Sequence, residues 1–206
     1  MNLKENFIKD VKFSDVITED SILFFDMDGT LVDTDYANFL AYKQAISETI
    51  KFDFNVEYDP NFRLTRNSLT VIAPFLSETE CHGIIEKKEK IYHNYLHEIQ
   101  VRKEQVSIVF EYAKLNKIVL VTNSHSDRAM TILNYFGLTE YFDEKFCQES
   151  MGEKNKVNKF QNAIEKLDIT PNIVIAFENE ESEVLLALKT GIEIINPKMD
   201  VSYEKI

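Results

Sequence analysis

Four short apolar runs punctuate the chain: Ile22–Phe25, Ile118–Val121 and Ile173–Phe177, each unbroken, and Ile192–Ile195, interrupted by Glu193. Each has strand length, and continuous apolarity without alternation predicts parallel strands covered on both faces. Phe142–Cys147 is a weaker fifth strand candidate. Patterns of helical period fill the intervals. Glu104–Asn116 and Asp127–Phe136 flank the second run, and Gly137 reads as a helix stop. Asn155–Leu167 leads through Thr170-Pro171 into the third run, and Ser182–Thr190 ends at Gly191 before the fourth. From residue 104 onward the alternation is that of βαβ units. The expected fold class is therefore α/β: a Rossmann-like, doubly wound parallel sheet with helices on both faces.

Residues 35–102 break this alternation, because no strong strand run occurs there. Tyr36–Ile50 is a helix candidate. In Glu78–Ile99 the residues Ile84, Ile85, Ile91, Tyr92, Tyr95, Leu96 and Ile99 fall within an arc of about 140°, which predicts one amphipathic helix. The expected organisation is an α/β core built from residues 1–34 and 103–206, with a helical domain of residues 35–102 inserted after the first strand. The joints lie at Thr34-Asp35 and Gln100–Lys103. Lys88 falls inside the apolar arc and is expected to snorkel, its stem buried and its ammonium in water. His93 and His97 lie opposite that arc, on a solvated face.

Composition narrows the class. The net charge of −12 disfavours a nucleic-acid polymer as partner. Only five Gly and four Pro in 206 residues leave few turns and disfavour a many-stranded sandwich. Cys81 and Cys147 make no disulfide framework and are expected to be buried apolar fillers in a reducing compartment. No apolar run approaches the ~18 residues of a membrane span, and the first 19 residues lack a signal-peptide core. A cytoplasmic protein, monomeric or weakly dimeric, is the expectation.

The sharpest chemical signal is Phe24-Phe25-Asp26-Met27-Asp28-Gly29-Thr30-Leu31-Val32-Asp33. An apolar strand delivers two carboxylates, one residue apart, to its C-terminal end, where open α/β sheets hold their ligands. In extended backbone Asp26 and Asp28 point the same way. Their repulsion would be offset by a divalent cation. An acidic turn after a buried strand is the alternative on local physics alone.

The run Asp26–Asp33 resembles the first motif of the haloacid dehalogenase superfamily, D-x-D-G-T/V-L/V-x-D. The resemblance implies that Asp26 is a nucleophile forming an aspartyl-phosphate and that Asp28 is the general acid and base. Dehalogenases proper lack the second Asp, so Asp28 implies phosphoryl transfer. Leu120-Val121-Thr122-Asn123-Ser124 is similar to the second motif. It implies a phosphate-binding hydroxyl on Thr122, with Asn123 assisting. The third motif is one Lys at a helix start, paired with the nucleophile. Counting back from Glu165-Lys166-Leu167 selects Lys154, with Lys156 and Lys159 as alternatives, in a stretch that lacks the family's Pro. Phe177-Glu178-Asn179-Glu180-Glu181 is similar to the fourth, metal-binding motif, with Asn179 where an Asp is common. The resemblance thus implies Mg²⁺ held by Asp26, the backbone carbonyl of Asp28 and Asn179, with Glu178 close by.

The inserted segment resembles the helical cap of β-phosphoglucomutase-like and phosphoglycolate-phosphatase-like members. That likeness implies that the cap sets substrate choice. Its best anion-binding candidates are Arg63 and Arg66, in Asn61–Leu69. The implied function is a Mg²⁺-dependent phosphatase acting on a small phosphorylated metabolite. A phosphomutase and a non-catalytic binding protein of the same fold are the alternatives.

Overall fold

The structure, a computed structural model, describes residues 16–50, 54–148 and 157–197. The chain divides into two compact units, one of Met1–Val32 with Val101–Ile206 and the other of Asp33–Gln100.

In the first unit a five-stranded parallel sheet is built from β1 (Ile22–Phe25), β4 (Lys117–Val121), β5 (Glu144–Phe146), β6 (Val174–Phe177) and β7 (Ile194–Ile195), in the order β5-β4-β1-β6-β7. A separate two-stranded pair joins β2 (Val32–Asp33) and β3 (Gln100–Val101). The helices between the large sheet's strands are α4 (Lys103–Tyr112), α5 (Ser126–Tyr135), α6 (Lys159–Leu167) and α7 (Glu181–Lys189). This is the α/β architecture that the apolar runs predict. The sheet is buried on both sides. Phe24, Val119, Val121 and Ala176 pack on one face against Phe160, Ala163 and Ile164 of α6 and Ala187 of α7. On the other, Phe25 stacks on Phe177 with ring centroids 4.4 Å apart and meets Phe142 edge-on.

α4 and α6 are shorter than the sequence pattern predicts. The helix expected over Asn155–Leu167 begins at Lys159, because the Asn158 side chain accepts from Gln161 N–H at 2.9 Å and caps it there. The helix closes at Asp168, whose left-handed backbone (φ 52°) ends the hydrogen-bond ladder.

The second unit is helical: α1 (Asp35–Ser47), α2 (Arg66–Ile72) and α3 (Glu78–Ile91). Phe39, Tyr42, Ala45, Ile46, Leu64, Leu69, Cys81 and Ile84 form its core. Thr65 with Ser68 and Ser77 with Glu80 make reciprocal capping boxes that start α2 and α3. The single helix expected over Glu78–Ile99 is instead two elements. After Ile91 the chain tightens into a 3₁₀ helix over Tyr92–Glu98, as the poor helix formers Tyr-His-Asn-Tyr allow. His93 and His97 are exposed on it. Lys88 does not snorkel. It is 2% exposed, its ammonium 3.2 Å from Glu89 and 5.2 and 4.8 Å from the ring centroids of Tyr42 and Tyr92. Two aromatic faces and a carboxylate replace the water that a snorkelling amine would seek. Cys81 and Cys147 are free and buried. No helix among the described residues is long and apolar enough to cross a membrane.

Candidate active site

Register builds the site. Phe25, the last residue of β1, pairs with Leu120 of β4 on one side and with Phe177 of β6 on the other. The residues that follow these strands, Asp26, Thr122 and Glu178, therefore emerge side by side at the carboxyl edge of the sheet. After β1 the chain fills the sheet outward through β4 and β5, then returns to place β6 on the opposite side of β1. That reversal makes the end of β1 the topological switch point, where open α/β sheets bind ligands.

Asp26 is buried, 6% exposed. Its backbone N–H donates to Phe177 O at 3.0 Å. Its Oδ1 accepts from Lys159 Nζ at 2.7 Å, and the same ammonium donates to Glu178 Oε2 at 2.6 Å and lies 3.8 Å from Glu183. Lys159 is the first residue of α6 and is 3% exposed. One ammonium thus serves two buried carboxylates, and its own affinity for protons rises above the lysine range through Asp26 and Glu178, against the cost of burial. Asp26 is left short of positive charge. Burial, with smaller contributions from Glu178 and Asp28, outweighs Lys159 and pushes its carboxyl up to about 7. Among the described residues its second oxygen, Oδ2, accepts no hydrogen bond.

β1 ends before the acidic pair, so the two carboxylates of the Asp-x-Asp run stand in a loop and have different partners. Gly29 N–H donates to Val32 O at 2.7 Å, and Leu31 and Val32 N–H close back on Met27 O. Gly29 has φ +91°, and a Cβ there would come within 2.4 Å of the Asn179 amide. Glycine is thus required both by the turn and by the close approach of Asn179. Asn179 Oδ1 accepts from Thr30 Oγ1 at 3.0 Å. The Asp28 carboxylate is held at both oxygens: Ser124 Oγ donates to Oδ2 at 2.5 Å, and Arg128 Nη2 donates to Oδ1.

The other expected positions fall as follows. Thr122 is buried at the end of β4, its Oγ1 accepting from Ser124 N–H at 3.2 Å. Asn123 beside it is exposed. Glu178 is 2% exposed, with Oε2 on Lys159 and Oε1 accepting from Glu180 N–H at 2.9 Å. Lys154 and Lys156 lie outside the described residues. Among the described residues the lysine that meets Asp26 is Lys159, the third of the sequence alternatives. In the helical unit Arg63 Nε is 3.0 Å from Asp35, and Arg66 is 4.0 Å from Glu89. Ser124 and Arg128 were not anticipated. The one sequence signal is Arg128, a cation in the first turn of a helix, where the peptide dipoles disfavour it unless an anion is near.

The donor set suits a hard divalent cation. Asp26, Asp28, Glu178 and Asn179 offer only oxygens, three of the side chains are anionic, and Lys159 and Arg128 are the cations that face them. Among the described residues no group of three His, Cys, Asp or Glu side chains is placed to hold a metal ion by itself. An ion held here would take one or two carboxylates, a carbonyl and water, a coordination that Mg²⁺ accepts.

Comparison with known proteins agrees with this geometry. The model of the haloacid dehalogenase-like hydrolase family matches residues 23–196. A phosphorylated carbohydrates phosphatase of Thermotoga maritima is 26% identical over 181 residues, 84% of this chain and 82% of that protein. A fructose-1-phosphate phosphatase of Escherichia coli is 20% identical over 188 residues, 86% of this chain and 96% of that protein. Among solved structures, CbbY of Rhodobacter sphaeroides in complex with phosphate superposes with a TM-score of 0.68 at 19% identity, covering 90% of this chain and 89% of that one.

Proposed function

The chain belongs to the haloacid dehalogenase-like hydrolases, and we propose that it is a phosphatase releasing phosphate from a small phosphorylated carbohydrate through a phosphoryl group carried on Asp26. The observation that carries this reading is the state of Asp26: a buried carboxylate at the sheet's carboxyl edge, one oxygen tied to Lys159 and the other free of hydrogen bonds from the described residues. A carboxylate so held is oriented as a nucleophile. The two similar phosphatases, named for phosphorylated carbohydrates and for fructose 1-phosphate, support the substrate class.

In this reading Asp26 Oδ2 attacks phosphorus and the bond from phosphorus to the sugar oxygen breaks. Asp28 gives its proton to that leaving oxygen. Asp28 then takes a proton from water as the water attacks phosphorus, and the bond from phosphorus to Asp26 breaks. Lys159 offsets charge on Asp26 and on the phosphoryl oxygens throughout, and the Thr122 hydroxyl holds one of those oxygens. Asp26, the Asp28 backbone carbonyl and Asn179 would hold Mg²⁺, with Glu178 acting through Lys159 as its orienting partner. When bound, that ion supplies further positive charge against the phosphoryl oxygens.

The test is a phosphate-release screen of sugar phosphates, nucleotides and phosphorylated acids, with Mg²⁺ and with a chelator. Release from sugar phosphates above the other classes, lost in the chelator, is the expected result. Release from none of them would overturn the reading.

Two further outcomes follow. Asn179 contributes a neutral oxygen where a carboxylate would add charge, so Asn179→Asp should tighten Mg²⁺ about tenfold, or roughly 1.4 kcal/mol. A calorimetric Mg²⁺ titration of both proteins at one pH reads this directly. Equal or weaker binding would mean that Asn179 serves Thr30 and the Gly29 turn alone. In the helical unit, Arg63 and Arg66 are the proposed anchors for a second anionic or hydroxyl-rich part of the substrate. Each would leave its present carboxylate neighbour, Asp35 or Glu89, to do so. Arg63→Ala and Arg66→Ala should raise KM for the best sugar phosphate by about tenfold, with little change for p-nitrophenyl phosphate. Equal effects on both esters would remove the two arginines from substrate recognition.

A further inference from the structure

We propose that Arg128 and Ser124 are positioning residues that aim the Asp28 carboxyl at the leaving oxygen. The inference rests on the proposed role of Asp28 as acid and base.

Three observations carry it. The first is geometry. Ser124 Oγ donates to Asp28 Oδ2 and Arg128 Nη2 donates to Asp28 Oδ1, so both carboxylate oxygens are fixed from one side, across about a hundred residues of chain. A carboxylate held at one oxygen still swings about its terminal bond, whereas one held at both has a single orientation.

The second is the way the two donors are themselves held. Ser124 is 8% exposed, and its backbone N–H donates to Thr122 Oγ1 at 3.2 Å. The loop leaving β4 is thereby tied to the residue proposed to hold the phosphate. Gln148 N–H also donates to Ser124 O at 3.0 Å. Arg128 is the third residue of α5, and its side chain is 16% exposed. Both donors come from the segment directly after β4, the strand that pairs with β1. The clamp is therefore anchored in the sheet, as a catalytic orientation requires.

The third is placement of charge. A guanidinium in the first turn of a helix sits against the positive end of the peptide dipoles. The same is true of Lys159 at the start of α6. The site has two cations at helix starts, each against one member of the Asp-x-Asp pair. Lys159 serves the proposed nucleophile, and Arg128 serves the proposed acid.

The experiment compares leaving groups. A sugar phosphate has an alkyl leaving oxygen that needs a proton, whereas p-nitrophenyl phosphate expels a stable phenolate that does not. kcat/KM is measured with Mg²⁺ for p-nitrophenyl phosphate and for whichever alkyl phosphate the screen shows to be turned over best. The proteins are wild type, Arg128→Gln, Ser124→Ala and Asp28→Asn. Arg128→Gln should lower kcat/KM about a hundredfold for the alkyl ester and by less than about tenfold for the activated one, a loss within the span of general acid catalysis. Ser124→Ala should show the same split at smaller size, and stands in if Arg128→Gln fails to fold. Asp28→Asn is the control. If it splits the two esters and neither clamp variant does, the clamp is wrong and Asp28 keeps its role. If Asp28→Asn itself fails to split them, the reading of Asp28 falls and the clamp with it. Equal losses on both esters in the clamp variants would make Arg128 and Ser124 structural and overturn the proposal.

Discussion

Asp26→Asn should lower turnover by more than about 10³-fold on every substrate, because the amide cannot accept the phosphoryl group. The fold should survive, since the side chain keeps its shape and Lys159 retains Glu178 at 2.6 Å. The same substitution should also change how stability depends on pH. The Asp26 carboxyl is pushed from 3.8 to about 7, chiefly by burial. The native state therefore binds this proton more tightly than the unfolded chain does. The stability that this contributes is complete below pH 3.8, fades through the interval and is lost above about pH 7. Over the whole interval it amounts to about 4 kcal/mol. In chelator, wild-type stability should fall between pH 5 and pH 8, and Asp26→Asn should flatten that fall. Urea melts at the two pH values give the comparison. Parallel profiles for the two proteins would place the Asp26 carboxyl near its ordinary range, and residual turnover near the wild-type rate would remove it as the nucleophile.

The sheet was legible because its evidence is contiguous. Ile22–Phe25, Ile118–Val121 and Ile173–Phe177 are unbroken apolar runs, and burial on both faces leaves no polar position to confuse the period. The acidic loop after β1 was legible for the same reason: Asp26, Asp28 and Gly29 are neighbours in sequence, and the turn they make is local. The lysine was harder. Counting back from the helix end points to Lys154, which lies outside the described residues, whereas α6 itself starts at Lys159, where Asn158 caps it through Gln161. The signal was present in Asn158-Lys159-Phe160-Gln161, an Asn three residues before a Gln, followed by apolar Phe160, Ala163 and Ile164 at helical spacing. Read that way, the helix starts at Lys159 and puts its charge at the sheet edge. Arg128 and Ser124 were not legible. Their partner Asp28 is about a hundred residues away, and strand order, which no local pattern encodes, decides that β4 lies next to β1. Lys88 shows the converse limit. Its place in the apolar arc was clear, but the Tyr42 ring that receives its ammonium comes from another helix.

Lys159→Met should be the most destabilising single change in the site. The methionine side chain is close to isosteric, so the change removes the charge with little change in volume. It removes the Lys159 ammonium that sits between Asp26 Oδ1 at 2.7 Å and Glu178 Oε2 at 2.6 Å. Two buried carboxylates then face each other, which typically costs about 3–5 kcal/mol when a buried ion pair loses one partner. The loss should be greatest at pH 8. It should shrink at pH 5, where the Asp26 carboxyl can take up a proton and relieve the repulsion. Millimolar Mg²⁺ should restore part of it at pH 8, since an ion that binds only the native state raises its stability by mass action. Turnover should fall by more than about 10²-fold even under conditions where the protein is folded, because charge on the transferring phosphoryl group then lacks its lysine. Lys154→Met is the companion measurement. If Lys159 supplies the charge, Lys154→Met should change turnover by no more than about threefold. Silencing by Lys154→Met, with Lys159→Met less stable but still active, would move the catalytic charge to Lys154 and leave Lys159 as the structural counter-ion of Asp26 and Glu178. A loss of less than about 1 kcal/mol at pH 8 in Lys159→Met would show that the ion pair with Asp26 adds little to the native state.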